Sequence, residues 1–167
     1  MNNHALDSEP ITVPGSPGTS PLVTATSIGR ALARIGIDAA IAASQSRNRR
    51  TCTAVVDAAG HLISFDRMDG APFQTIALAQ AKAVSVAGNL TATHDYWNGI
   101  KDEPWLVHGV QRIDGLIVLG GGLPICYQDT IIGAVGVSGQ STMAEDQAIA
   151  EAAVTAIVSS LEDTTLP

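Results

Sequence analysis

Histidine and aromatic side chains are concentrated in one short window near the middle of the chain. Residues 94–108 contain two of the four histidines and three of the aromatic residues, namely His94, His108, Tyr96, Trp97 and Trp105. Aromatic walls with a few polar groups suit a flat apolar ligand, and a histidine beside such a ligand can move a proton. The spacing of the two histidines fits no metal-binding motif, so no metal site is predicted. The alternative is an ordinary loop whose aromatics cover the core or a subunit contact.

Two basic side chains are candidates for binding a carboxylate. Lys82 is the only ionisable side chain between Asp69 and His94, on a predicted helix that is otherwise mostly apolar. Its ammonium either extends to water or faces a pocket and neutralises an acidic group of a ligand. Arg67 carries a planar guanidinium that matches the geometry of a carboxylate. The alternative for Arg67 is a cross-strand ion pair with Asp57.

Three consecutive glycines, Gly120, Gly121 and Gly122, interrupt the strand-like stretch "GLIVLGGGLPICYQDTIIGAVGVSG". Glycine weakens a strand unless a turn, a bulge or a close neighbour requires it. A nucleotide loop is excluded, because no lysine follows the glycines and the next element is a strand. We therefore expect the terminal helix, or the flat face of a ligand, to cross this backbone closely. The N–H groups of the turn are candidates for binding an oxyanion or a carboxylate.

The order of hydrophobic patterns predicts helix, two strands, helix, three strands and helix. The three later strands are Leu116–Leu119, Leu123–Tyr127 and Thr130–Val137, and the last helix is Ala144–Leu161 with Ser141 or Thr142 as its N-cap. This order predicts an α+β domain with an antiparallel sheet of about five strands and helices packed on it. Residues 1–20 are predicted to be a disordered N-terminal tail, so that residues 21–167 form a single domain.

Three segments resemble a known family. "TAVVDAAGHLISFDRMDGAPFQTIALAQAKA", "GGGLPI" and "IIGAVGVSGQSTMAEDQAIAEAA" are similar to the GlcG/HbpS-like family, also called the haem-degrading domain, which includes the C-terminal domain of PduO-type cobalamin adenosyltransferases. The resemblance implies a profilin-like fold of α-β-α layers, assembly as homo-oligomers from dimers to octamers, and haem or a corrinoid as a ligand of some members. The segment "THDYWNGIKDEPWLVHGVQRID" matches no family motif, so the resemblance assigns no haem ligand here.

The composition of the chain limits the kinds of binding partner that we expect. The chain of 167 residues has a net charge of −7 and only 15% charged residues. A nucleic-acid partner is not expected, because phosphate binding needs clustered cations. No segment reaches the roughly 18 uncharged apolar residues of a membrane span, and the N-terminus lacks a secretory pattern, so a cytoplasmic protein is predicted. A surface with so few charges favours a subunit contact, since exposed apolar patches usually mark interfaces.

Three hypotheses about function follow. The first is a small-ligand-binding protein that binds or degrades haem or a related tetrapyrrole, with His94 or His108 as the iron ligand. The second is a cofactor-independent enzyme, of the isomerase, lyase or hydrolase type, that acts on a small carboxylate or carbonyl metabolite. In that enzyme Lys82 or Arg67 anchors the acid and the glycine-rich turn stabilises an oxyanion. The third is a scaffold subunit without pocket chemistry.

Overall fold

The computed structural model describes residues 25–165, and the predicted tail of residues 1–20 lies outside them. One antiparallel sheet has four strands in the order β2-β1-β4-β3. The strands are β1 (Thr51–Asp57), β2 (Leu62–Arg67), β3 (Gly122–Tyr127) and β4 (Thr130–Gly139). The helices are α1 (Arg30–Ser46), α2 (Gln74–Asn89), α3 (Thr93–Ile100), α4 (Pro104–Val110) and α5 (Met143–Thr165). The predicted α+β class is confirmed.

The sheet has an apolar core on each face. On one face α1 and α5 pack together on Val55 and Val135. On the other face α2 covers Ala54 and Ala134 with small side chains. The central strand β1 is buried from Thr51 to Val56, because helices cover both of its faces. The result is the expected order of α-β-α layers.

The predicted strand Leu116–Leu119 does not form, so the sheet has four strands and not about five. This segment is tethered to α2 instead. The N–H group of Ile117 donates to Ser85 Oγ at 2.7 Å, and the Ser85 hydroxyl donates to the Gly115 carbonyl at 3.1 Å. A short apolar run has the same pattern whether it pairs with a strand or packs on a helix.

Residues with positive φ values form the turns of both hairpins. Gly60 has a positive φ of 85° in the β1–β2 turn, and Gln128 and Asp129 have φ values of 47° and 61° between β3 and β4. The predicted ion pair between Asp57 and Arg67 is wrong. Arg67 lies opposite Cys52 at the far end of the hairpin, whereas Asp57 Oδ1 accepts hydrogen bonds at the turn.

Two glycines of the sheet, Gly122 and Gly136, are explained by α2, whose backbone crosses the backbone of the sheet closely. A Cβ atom at Gly136 would overlap the Ala79 carbonyl oxygen and lie 2.6 Å from Ala83 N. A Cβ at Gly122 would lie 2.9 Å from the Lys82 carbonyl oxygen. The expectation that the terminal helix or a ligand crosses here is therefore wrong for these two positions.

We predict that Gly136→Ala lowers the free energy of unfolding by about 3 kcal/mol, because backbone atoms of α2 cannot move aside for a methyl group. Gly88→Ala is the matched control, since no atom lies within 4 Å of its Cβ position in α2. Alanine there should be neutral or stabilise by about 0.5 kcal/mol. Urea unfolding of both variants measures the difference, and equal stability of the two would contradict the close crossing.

Candidate functional site

A buried ion pair joins the two helical layers. Lys82 on α2 donates from Nζ to Asp146 Oδ2 on α5 at 2.7 Å, and the two side chains are only 2% and 7% exposed. The Ser141 hydroxyl also donates to Asp146 Oδ1. Burial lowers the pKa of Lys82 and raises the pKa of Asp146, because loss of water disfavours both charges. Attraction between the two groups opposes both shifts.

Lys82 also completes the hydrogen bonding of the sheet. Its ammonium donates to the Val137 carbonyl at 2.7 Å, while the Val137 N–H group donates to the Gly121 carbonyl at 2.9 Å. Strand β3 begins only at Gly122, so the lysine satisfies a carbonyl of β4 beyond the start of its neighbour. Gly121 has a φ of 105°, and a Cβ atom there would lie 3.2 Å from Lys82 Nζ and 2.7 Å from Asp146 Cβ. The glycine leaves the space that the ion pair fills.

The start of β3 in turn fixes α3. Thr93 is buried at the first position of that helix, and its Oγ1 accepts the Gly122 N–H group at 3.1 Å. A Cβ atom at Gly122 would lie 2.6 Å from Thr93 Cγ2. The next residue along α3 is His94, so this contact sets where the imidazole lies.

His94 lies in the walls of two cavities, which we call together the His94 cleft. One cavity has a volume of about 440 Å³ and lies between α3, the β3–β4 hairpin and α5, where Leu123, Pro124 and Val154 contribute apolar surface. The other has a volume of about 270 Å³, and its lining includes Trp97 and Gly120. Pockets for small ligands are concave and mostly apolar, with a few polar groups, and the His94 cleft has this character.

The imidazole of His94 is held by its neighbour on α3. His94 Nε2 lies 3.0 Å from Asp95 Oδ1, with the His94 side chain 43% exposed. The other ring nitrogen, Nδ1, is covered by protein atoms and has no hydrogen-bond partner within the part of the chain that the structure describes, and the same is true of Gln147 Oε1. A carboxylate beside one ring nitrogen of a histidine can orient the ring so that the other nitrogen is left for a ligand.

The structure brings together only some of the predicted site residues. The His94 cleft is lined by His94, Trp97 and Gly120. Lys82 instead forms the buried ion pair, and Gly121 lies against that pair. Three aromatic-window residues lie in neither cavity of the cleft: Tyr96 is half-buried on α3, and Trp105 and His108 are exposed on α4. Gly122 donates its N–H group to Thr93, so this group is not free for an oxyanion.

Arg67 lies at another place in the molecule, in a cavity whose lining contains neither Lys82 nor a histidine. Its guanidinium donates to the Ala71 carbonyl at 3.0 and 2.6 Å. The acid anchors of the enzyme hypothesis therefore do not share one pocket with a histidine.

Sequence reasoning missed the pairing of Lys82 with Asp146. It also missed Thr93 and Gln147. A signal for the ion pair was present, since a lysine on an otherwise apolar helix that becomes buried needs a counter-charge. No local signal shows which of the carboxylates supplies it.

Comparison with known proteins identifies the family. The family model described as haem degrading protein HbpS-like matches residues 28–155. This chain belongs to the HbpS-like family. A relative, the 15.0 kDa protein of the dhaT-dhaS intergenic region of Citrobacter freundii, is 32% identical over 102 residues, which is 60% of this chain and 70% of the relative.

Two solved structures of HbpS-like fold show the same architecture. Protein ORFY of Klebsiella pneumoniae superimposes with a TM-score of 0.76 and 26% identity, covering 89% of this chain and 99% of that one. A complex of PduOC with heme gives a TM-score of 0.71 at 24% identity, covering 78% of this chain and 95% of that one. The likeness to PduOC is one of fold.

The described residues bear on three further expectations, which concern a membrane span, a metal site and a homo-oligomer. Within residues 25–165, no helix has the length and apolar character needed to cross a membrane, and no group of three or more His, Cys, Asp or Glu side chains is placed to hold a metal ion. The outer side of α2 and the segment before it expose Phe73 (71%) and Val84 (41%). Such apolar surface favours a protein contact, and the homo-oligomer stays a prediction.

We predict that Lys82→Met lowers the free energy of unfolding by about 3–5 kcal/mol, because it leaves the carboxylate of Asp146 buried without its partner. The double variant Lys82→Met/Asp146→Leu should recover most of this loss, since an apolar pair of similar volume tolerates burial. Removing the exposed pair Arg34–Asp38 is the control and should cost less than about 1 kcal/mol. Additive effects at Lys82 and Asp146 in chemical unfolding would contradict the coupling.

We predict a pH-dependent contribution from Glu145, whose pKa is lowered from 4.5 to about 2 by Arg49 and by the backbone and hydroxyl of Thr142. Because the folded-state pKa is the lower one, this stabilisation is complete above about pH 4.5 and is lost as the pH falls toward about 2. Glu145→Gln keeps the capping hydrogen bonds and should flatten the fall of unfolding free energy in that window. Arg49→Gln should flatten it likewise, and an unchanged profile in both variants would contradict this assignment.

Proposed function

We propose that the protein binds haem or a related tetrapyrrole in the His94 cleft, with His94 as the residue that contacts the metal. The observation that carries the proposal is the state of this imidazole. Its Nε2 atom lies 3.0 Å from Asp95 Oδ1, and its Nδ1 atom has no hydrogen-bond partner among residues 25–165, on the wall of an apolar cleft. Histidines that bind metals in proteins are usually held in this way by a carboxylate, and histidine is a common axial ligand of haem iron.

The apolar walls of the cleft fit the flat face of a macrocycle. Leu123, Pro124 and Val154 supply aliphatic surface, and Trp97 supplies an aromatic ring. Stacking against such surfaces removes apolar area from water, which stabilises a complex by about 25 cal/mol per Å². When bound, the group would supply a metal centre next to the imidazole.

The charges of the cleft determine which way the ligand would face. No Lys or Arg side chain is among the described residues that line the two cavities, whereas Asp95 and Glu151 are. These carboxylates would repel the propionates of haem, so the cleft residues would hold such a ligand by its apolar part. The absence of a cationic clamp also means that binding rests on the histidine and on apolar contact.

The imidazole must rotate before it can bind a ligand. Nδ1 is covered by protein atoms, yet the side chain is 43% exposed, which gives the ring room to turn toward the cavity. Side-chain rotations of exposed residues are fast, on the picosecond to nanosecond scale.

The comparisons support this proposal over the other hypotheses. The family description names haem degradation, and PduOC, which shares the fold, was solved in complex with heme. The cofactor-independent enzyme is less well supported, because Lys82 is buried in an ion pair and Arg67 lines a cavity without a histidine.

We predict that hemin titration of the purified protein gives a saturable Soret band shifted from that of free hemin. His94→Ala should weaken binding by at least about tenfold and change the band position, because the axial nitrogen is lost. His108→Ala is the matched control, since this exposed histidine on α4 lies outside the cleft. Absorbance titrations of the three proteins at equal concentration measure the effect.

Two results would count against the proposal. An unshifted Soret band in the wild-type protein would show that hemin does not bind specifically. Equal affinity and equal spectra for His94→Ala and His108→Ala would show that hemin binds elsewhere.

A further inference from the structure

A cavity separate from the His94 cleft lies at the end of the β1–β2 hairpin that is opposite its turn. It has a volume of about 520 Å³ and lies between the end of α1, the segment that leads into β1, and the end of β2. Its lining shares no residue with the His94 cleft. Three arginines line this cavity, Arg49, Arg50 and Arg67, and so do Asp66 and Asp69.

The three guanidiniums differ in how much of their charge is already balanced. Arg49 is compensated by Glu145, whose Oε1 lies 2.8 Å from both Arg49 Nε and Arg49 Nη2. Arg50 and Arg67 have no carboxylate partner among residues 25–165. Neither of these two positive charges is therefore balanced by a direct ion pair within the described residues.

Backbone carbonyls hold these two arginines in place. Arg67 donates twice to the Ala71 carbonyl, which leaves three of the five N–H donors of its guanidinium. Arg50 donates one hydrogen bond to the Asp69 carbonyl at 3.2 Å. A guanidinium that is oriented in advance loses less freedom when it binds a planar carboxylate.

The two carboxylates are equally unpaired. Neither Asp66 nor Asp69 forms an ion pair within the described part of the chain, although both line the same cavity as Arg50 and Arg67. A simple anion would meet repulsion from the carboxylates, and a simple cation would meet repulsion from the guanidiniums. A ligand that carries both charges can satisfy both sets at once.

We propose that this cavity binds a small α-amino acid with an apolar side chain. The carboxylate of the ligand pairs with Arg67 and Arg50, and its ammonium group pairs with Asp66. Ile41 and Met68 line the same cavity and offer apolar surface to the side chain, where the flexible thioether of methionine adapts to different shapes. This site is separate from the His94 cleft and does not depend on haem binding.

The test uses three probes that share the leucine side chain and differ at the carboxylate or at the amino group. L-leucine carries both charges, L-leucinamide lacks the carboxylate, and N-acetyl-L-leucine lacks the ammonium. Calorimetric titration of the full chain should give the highest affinity for L-leucine. Each derivative should bind roughly tenfold to a hundredfold more weakly, because hydrogen bonds to charged groups contribute that much.

Substitutions assign each charge to its partner. Arg67→Gln should remove the advantage of L-leucine over L-leucinamide, and Asp66→Asn should remove its advantage over N-acetyl-L-leucine. Arg47→Gln is the control, because Arg47 is exposed, donates to the Ala43 carbonyl and does not line the cavity. If Arg67→Gln unfolds at a lower temperature, Arg50→Gln provides a second variant for the same comparison.

Equal binding of the three probes, or no heat with L-leucine at millimolar concentration, would overturn the proposal. So would an Arg67→Gln or Arg50→Gln variant that keeps the full preference for L-leucine. Hemin titration of Arg67→Gln separates this proposal from the first, because binding in the His94 cleft should be unchanged.

Discussion

The ion pair between Lys82 and Asp146 is the constraint on which the site depends. Two opposite charges that are almost fully buried hold together only if each keeps its partner, since an isolated buried charge costs several kcal/mol. Because Lys82 starts on one face of the sheet and Asp146 belongs to a helix on the other, the pair fixes both helical layers relative to the start of β3. The Val137 carbonyl, which binds the same ammonium, adds β4 to this junction.

Glycine residues, which have no side chain, make the close packing at this junction possible. Gly136 allows the backbone of α2 to lie directly on β4, and Gly121 leaves room for the ammonium and its carboxylate. Gly122 allows Thr93 to bond to the first residue of β3, and His94 follows Thr93 on α3. The glycine-rich stretch thus acts through the protein's own packing, and the histidine is placed at the cleft as a consequence.

The sequence predicts the elements better than the site, for physical reasons. Periodicity and turn chemistry are local, so they predict the α+β class with helices packed on an antiparallel sheet, whereas the order of α-β-α layers was implied by the family resemblance. Leu116–Leu119 was misassigned because extended chain beside a helix and extended chain in a sheet have the same pattern. Spacing alone could not separate His94 from His108, since the difference depends on how α3 and α4 dock. The partner of Lys82 is 64 positions away, and no local pattern carries that information.

The central claim is that His94, of the histidines on the described chain, is the one that meets the ligand. NMR of protein with isotope-labelled histidine rings tests it directly, because bound ferric haem broadens only the nuclei close to the iron. The account predicts that one equivalent of hemin erases the ring signals of His94 and leaves those of His61 and His108 in place. Persistence of the His94 signals while those of His61 or His108 disappear would contradict it.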